Sequence, residues 1–219
     1  RPEQDELLRN QALAAVEHAT ATCTERQNGQ RVIPATHWPA PESVTQFLRC
    51  DEDVFAGARL LEREDFTAFR RMTFVEAIAA TLRHAMERDG RLLILGEEVA
   101  NLRGGVYGAT KGIKEAFPDR LINTPISETG FCGLGGGLAA AGLRPVVEIM
   151  YPDFALMASD QLFNQIGKLR HMYGGQVRFP LVLRTRIGIG FGYGGQHSLD
   201  PAGFFAQFPG WRILAPSNA

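Results

Sequence analysis

The chain has 219 residues, 45% of them hydrophobic, which suits one sizeable α/β domain with an appendage and a globular rather than a disordered chain. Its 23 Lys and Arg against 24 Asp and Glu leave a formal net charge of −1, and no basic block favours nucleic acid or an anionic membrane. No run approaches the ~18 apolar residues of a membrane span. Cys23, Cys50 and Cys132 are odd in number, far apart and without C-x-x-C spacing, as expected of reduced thiols in a cytoplasmic protein.

Residues 1–70 read as a helical arm or linker. The opening RPEQDELLRN is charged and has no apolar core, so no secretory signal is expected there. Glu3 to Ala21 has helical spacing, with Leu7, Leu8, Ala12, Val16 and Ala19 on one face. Pro34, Pro39 and Pro41 then interrupt the chain, and short charged helices are expected near Pro41–Leu48 and Asp53–Leu61.

From Met72 the pattern sharpens. Thr73 and Glu76 form a T-x-x-E capping box, and Phe74, Ile78, Leu82, Ala85 and Met86 follow at helical spacing up to Gly90. Short apolar strands are expected at Leu92–Leu95, Leu121–Asn123, Pro145–Met150, Leu181–Leu183 and Arg212–Leu214. Between them lie a Gly/Ala helix ending at Gly142, a long helix from Asp153 to about Tyr173, and a short one at Pro201–Gln207. Strands that are continuously apolar and alternate with helices predict an α/β fold whose parallel sheet is covered on both faces. Ligands of such sheets bind beyond the carboxyl ends of the strands, where Glu97, Glu98, Glu128 and Asp153 fall.

Thr124-Pro-Ile-Ser-Glu128-Thr-Gly-Phe131 sets one carboxylate between a strand and the glycine-rich stretch Gly133–Gly142. Among residues so small a flat ligand can approach Glu128, and shielding from water raises a carboxyl pKa toward neutrality. Gly133-Leu-Gly-Gly-Gly137 is not a phosphate loop: it lacks G-K-[ST], and Leu138 stands where the dinucleotide fingerprint needs its last glycine. Close helix packing accounts for it better. Glu97 and Glu98 are either a solvated pair or part of a site. His197 follows the glycine-dense loop Gly188–Gly195, and a lone loop histidine is more often a surface residue than a catalyst. No H-x-x-x-H, H-E-x-x-H or carboxylate cluster supports a metal site.

Six segments occur in order: Thr73-Phe-Val-Glu-Ala-Ile78, Leu95-Gly-Glu-Glu-Val99, Gly104-Gly-Val-Tyr-Gly-Ala-Thr-Lys-Gly112, Asn123-Thr-Pro-Ile-Ser-Glu128, Gly142-Leu-Arg-Pro145 and Gln196-His-Ser198. At these spacings residues 71–219 resemble the β subunit of the thiamine diphosphate-dependent E1 component of 2-oxo acid dehydrogenases, the enzymes that decarboxylate pyruvate or branched-chain 2-oxo acids. The region corresponds to that family's transketolase-type pyrimidine-binding domain.

The resemblance implies that Glu128 bonds to the aminopyrimidine nitrogen and shares its proton, that Phe154 stacks near the ring and Ile126 lines it, and that Glu97 belongs to an acidic path between paired sites. It implies that His197 faces the substrate and the lipoyl acceptor. Met157 departs from the Gln of pyruvate-type relatives, which bears on the substrate rather than the cofactor. In the family the diphosphate and magnesium are held by a G-D-G…N motif on the α subunit, and this sequence contains no Gly-Asp-Gly. Ala219 falls inside the expected domain, and residues 1–65, with Pro39-Ala-Pro-Glu42, weakly resemble an α-subunit tail, so a fragment of a fused α–β chain is expected. The implied partners are an α-type region, the lipoyl acyltransferase E2 and further E1 subunits. The competing readings are another transketolase-type enzyme, such as a deoxyxylulose phosphate synthase, and a non-catalytic paralogue or scaffold.

Overall fold

The computed structural model describes residues 2–37, 40, 57 and 61–216. The chain divides into two compact units, Arg1–Thr45 and Gln46–Ala219. The helices expected near 41–48 and 53–61 lie outside the described residues, as does Cys50. No helix among the described residues is long and apolar enough to cross a membrane.

In the first unit, helix α1 (Pro2–Cys23) forms as its spacing predicts, yet it buries none of its residues. Its stripe stands open, with Leu8 and Val16 60% and 63% exposed. A hairpin that the sequence reading passed over follows, β1 (Glu25–Gln27) against β2 (Gln30–Val32). Its two-residue loop, Asn28-Gly29, takes φ of 51° and 80°. That is the mirror-image turn whose twist matches a hairpin and whose left-handed residues favour Asn-Gly.

The second unit begins with α2 (Phe74–Arg88). The Thr73 hydroxyl accepts the Glu76 N–H at 3.2 Å, and the Glu76 carboxylate accepts the Thr73 N–H at 2.8 Å, so the capping box closes from both sides. Strands β3 (Leu92–Glu97), β4 (Leu121–Thr124), β5 (Arg144–Glu148) and β6 (Val182–Arg184) form one sheet in the order β4-β3-β5-β6. Every neighbouring pair is parallel; β3 is central, pairing Ile94 with Leu121 on one side and with Val146 on the other.

Alternate residues of a strand face opposite ways, and two cores result. Leu93 and Leu95 of β3 and Val147 of β5 pack with Phe131, Cys132, Leu162 and Phe163. Ile94 and Val146, from the same strands, pack with Met86, Val99, Ile113 and Leu121. Burying a side chain such as Leu95 contributes about 1.5–3 kcal/mol, which is why these strands are apolar on both faces.

Helix α3 (Ile113–Ala116) precedes β4, and α4 (Glu128–Ala140) follows it. The glycines of α4 bring it close to the sheet. A Cβ on Gly135 would overlap Val147 Cγ2, and one on Gly136 would lie 2.9 Å from Ile166 Cγ1. Close packing, as expected, is the use of Gly135 and Gly136.

The helix expected from Asp153 to Tyr173 is instead three segments: a 3-10 stretch Pro152–Ala158, a π-helical stretch Asp160–Ile166, and α5 (Gly167–Met172). The Leu162 carbonyl accepts the N–H of Gly167, five residues on, and also the indole N–H of Trp211 at 3.0 Å. An external donor on that carbonyl favours the wider helix. After α6 (Ala202–Phe205), the strand expected at Arg212–Leu214 does not form. The segment pairs with no strand among the described residues, and Leu214 is 75% exposed. Two apolar residues after Arg212 were too few to mark a buried strand.

Candidate functional site

The carboxyl ends of the strands gather the polar residues. Glu97 closes β3 and pairs in register with Thr124, the last residue of β4. Gly96 makes the approach possible, since at φ 157° any Cβ there would sit 2.5 Å from the Glu148 carbonyl oxygen. Glu98 then takes a left-handed φ of 60° and turns the chain away from the sheet.

Four residues beyond β4, Glu128 opens α4, half-buried, with Ser127 at the N-cap position. The positive end of a helix favours a carboxylate in its first turn. Burial, and then the charges of Glu128 and Glu98, hold the Glu97 carboxyl above the usual range. Glu97 and Glu128 are therefore electrostatic neighbours, one acidic pair across two strand ends. One turn along α4, burial followed by the Glu128 charge pushes the Cys132 thiol up to about 12.

The 3-10 stretch supplies the flanks. The Thr129 hydroxyl donates to the Met157 carbonyl and ties that stretch to the first turn of α4. Met157 and Ile126 are 69% and 78% exposed. Two uncovered apolar side chains thus lie near a carboxylate, and the Thr124 hydroxyl close by is buried without a partner.

Phe154, on the same stretch, leads to His197, their ring centroids 5.2 Å apart. His197 is not the isolated loop residue that its sequence context favoured. Its ring packs edge-on against Tyr151 at 4.6 Å, and its Nδ1 is buried with no partner. The loop before it is held at both ends. A Cβ on Gly188 would overlap the His197 carbonyl, and Asp153 accepts the Leu199 N–H at 3.3 Å. Between those anchors Gly190, Gly192 and Gly194 all take positive φ, which only glycine adopts freely.

Four residues of this cluster escaped the sequence reading. Tyr107 and Tyr151 share a hydrogen bond between their hydroxyls. Burial, with that bond second, raises the Tyr107 phenol above its ordinary pKa. Tyr193 lies 5.8 Å from Tyr151, and the Arg186 guanidinium lies over the ring of Tyr107 at 3.3 Å. The signal was available for one of them: Tyr193 stands between Gly192 and Gly194, a large ring set in a glycine-dense loop.

The structure thus places Glu128, Glu97, Ile126 and Met157 around one acidic pair, and Phe154 and His197 in an aromatic cluster joined to it by the 3-10 stretch. In an open parallel sheet the crevice beyond the carboxyl ends of the strands is where ligands bind, and the half-buried Glu128 lies there. Residues 70–219 match the family "Transketolase, pyrimidine binding domain". The chain belongs to that family. It is 42% identical over 149 residues to the pyruvate dehydrogenase E1 component subunit beta of Rickettsia bellii, covering 68% of this chain and 46% of that one. It is 40% identical over 151 residues to the mitochondrial pyruvate dehydrogenase E1 component subunit beta-1 of Arabidopsis thaliana, covering 68% and 41%. It is 37% identical over 158 residues to an acetoin:2,6-dichlorophenolindophenol oxidoreductase subunit beta of Cupriavidus necator, covering 68% and 47%. The chain therefore spans less than half the length of each of these relatives.

Proposed function

We propose that the chain is the β-type, pyrimidine-binding part of a thiamine diphosphate-dependent E1 enzyme that decarboxylates a 2-oxo acid and passes the acyl group to a lipoyl acceptor. The observation that carries this reading is Glu128, half-buried at the start of α4 and close enough to Glu97 to raise that carboxyl. The residues present fit the pyrimidine half of the cofactor. Glu128 offers a carboxylate to a ring nitrogen, Ile126 and Met157 offer uncovered apolar surface to a flat ring, and Thr124, paired in register with Glu97, has an unpartnered hydroxyl. When bound, the cofactor supplies the nucleophilic carbon and the electron sink of the decarboxylation.

This chain's residues do the rest. Glu128 holds a proton at the ring nitrogen, and its place in the first turn of α4 fixes where that proton lies. Glu97 couples to it through charge. Phe154 and Tyr151 keep water from one side of His197, whose free Nδ1 is available to a substrate oxygen or an acyl acceptor. Magnesium and the diphosphate belong to an α-type region, with which this chain forms an oligomer, and the acyl acceptor belongs to a lipoyl acyltransferase. A second reading follows from the relative named for acetoin: the same half-site acting on that uncharged hydroxyketone.

The test is proton–deuterium exchange at C2 of thiamine diphosphate in the enzyme assembled from this chain and its α-type region. Glu128→Gln removes the shared proton with little change of shape and is expected to slow exchange by ~10²–10⁴. Exchange at the wild-type rate in that variant would refute the role of Glu128. His197→Ala is expected to spare exchange while acylation of a lipoyl domain falls.

A further inference from the structure

Arg186 lies next to the proposed site and is given no part in it by the reading above. Its surroundings are unusual for a cation. Two residues before it, Arg184 forms an ion pair with Glu148, and Arg91 and Arg144 both pair with Asp89. Arg186 is half-buried, and no carboxylate or carbonyl among the described residues accepts from it. It is held instead by aromatic faces, its guanidinium carbon 3.3 Å from the ring centroid of Tyr107 and 4.2 Å from that of Phe191. A guanidinium held over rings by cation–π attraction keeps its N–H donors, whose planar fork matches a carboxylate.

The same rings lead to His197 by two routes. Tyr107 is bonded to Tyr151, which packs on the imidazole at 4.6 Å. Phe191 stacks on Tyr193 at 6.0 Å, and Tyr193 lies 6.3 Å from the imidazole. Arg186 and His197 thus occupy two ends of one closed aromatic wall, the cation at one end and an unpartnered ring nitrogen at the other.

We infer that Arg186 is a carboxylate-binding residue that receives the carboxylate of an incoming 2-oxo acid. This rests on the proposed reading of the site, and it sharpens that reading, because an uncharged hydroxyketone offers the guanidinium edge only neutral oxygen acceptors, without the charge and paired oxygens of a carboxylate. A cation that grips the substrate's charge acts on binding of the ground state rather than on the chemical step.

The experiment is equilibrium binding to the purified whole chain without cofactor, followed by the imidazole NMR signals of His197, assigned with His197→Ala. The probes are pyruvate, methyl pyruvate, acetoin and inorganic phosphate. Pyruvate is expected to bind saturably, and methyl pyruvate and acetoin at least about tenfold more weakly, as for loss of a charge-assisted pair. Arg186→Gln is expected to abolish the difference between pyruvate and its ester. Arg186→Lys, which keeps the charge and loses the fork, is expected to bind pyruvate more weakly than wild type; circular dichroism shows that both variants fold. Absence of saturable pyruvate binding, equal binding of the ester, or unchanged binding in either variant overturns the inference. Phosphate binding as tightly as pyruvate overturns the assignment to a carboxylate. Failure of the wider reading shows elsewhere, as unchanged C2 exchange in Glu128→Gln, and leaves these results standing.

Discussion

Gly135→Ala and Gly137→Ala, two residues apart in α4, are expected to change stability in opposite directions. Alanine in a helix interior is favoured over glycine by ~1 kcal/mol when nothing else intervenes. At Gly137 nothing lies within 4 Å of an added Cβ. The full gain is therefore expected there. At Gly135 the added carbon overlaps Val147 Cγ2 and comes within 3.4 Å of Leu181 Cδ1. Val147 is β-branched, 1% exposed and held in register between β3 and β6, so its side chain is stiff and closely surrounded. Overpacking of this kind costs ~1–3 kcal/mol, which outweighs the helix gain and leaves a net loss of up to about 2 kcal/mol. For a chain of this size each kcal/mol moves Tm by ~2–4 °C. Thermal melts followed by circular dichroism should show Gly137→Ala above wild type and Gly135→Ala below it. If Gly135→Ala melts as high as Gly137→Ala, α4 does not rest on β5 as described, and the placement of Glu128 at its start loses its support.

Glu97 has its folded pKa raised, so the folded state holds its proton longer than the unfolded chain does, and stability falls as pH rises from the ordinary value of ~4.3 through the folded one. Glu97→Gln is expected to raise Tm at pH 7 and to lose that advantage near pH ~4; the same gain at both pH values would refute a carboxyl raised by burial and its acidic neighbours. Arg120 donates to the carbonyls of Met86 at 2.9 Å, Asp89 at 3.0 Å and Leu92 at 3.2 Å, closing the end of α2. Arg120→Ala is expected to cost about 2–3 kcal/mol in urea unfolding, the scale of charged hydrogen bonds left unmade, and an unchanged midpoint would count against that cap. A thiol-reactive dye is expected to label Cys23, which is exposed, and to spare Cys132, which is buried with its thiol pushed up to about 12, until the chain unfolds.

Much of the sheet was legible because the inner strands β3 and β5 carry apolar runs buried on both faces, as a covered parallel sheet asks. The T-x-x-E box at Thr73 and the small residues after Glu128 were legible for a similar reason: a local geometry demands those residue types. What escaped depends on partners distant in sequence. The break in the helix at Asp160–Ile166 follows from Trp211, whose indole reaches the Leu162 carbonyl from 49 residues away. The company of His197 comes from Tyr151 and Phe154, on a stretch more than forty residues earlier in the chain, and no spacing rule joins them. The Asn28-Gly29 hairpin was different: its signal was present and local, and the exposed, charged strands around it hid it.

The all-parallel order β4-β3-β5-β6 also bears on how this domain comes into being. The main sheet contains no hairpin, so none of its ladders can form from neighbouring residues alone; Ile94 must find Leu121 and then Val146, each beyond an intervening connection. Closing such loops costs entropy before any contact repays it. The central strand is the piece on which both other pairings wait, and β6 can add only after β5 is in place. Until then the apolar faces of β3 and β5 are open to other chains. The domain is therefore expected to be most vulnerable to aggregation during synthesis, with β3 as the segment that an early-binding chaperone would have to cover.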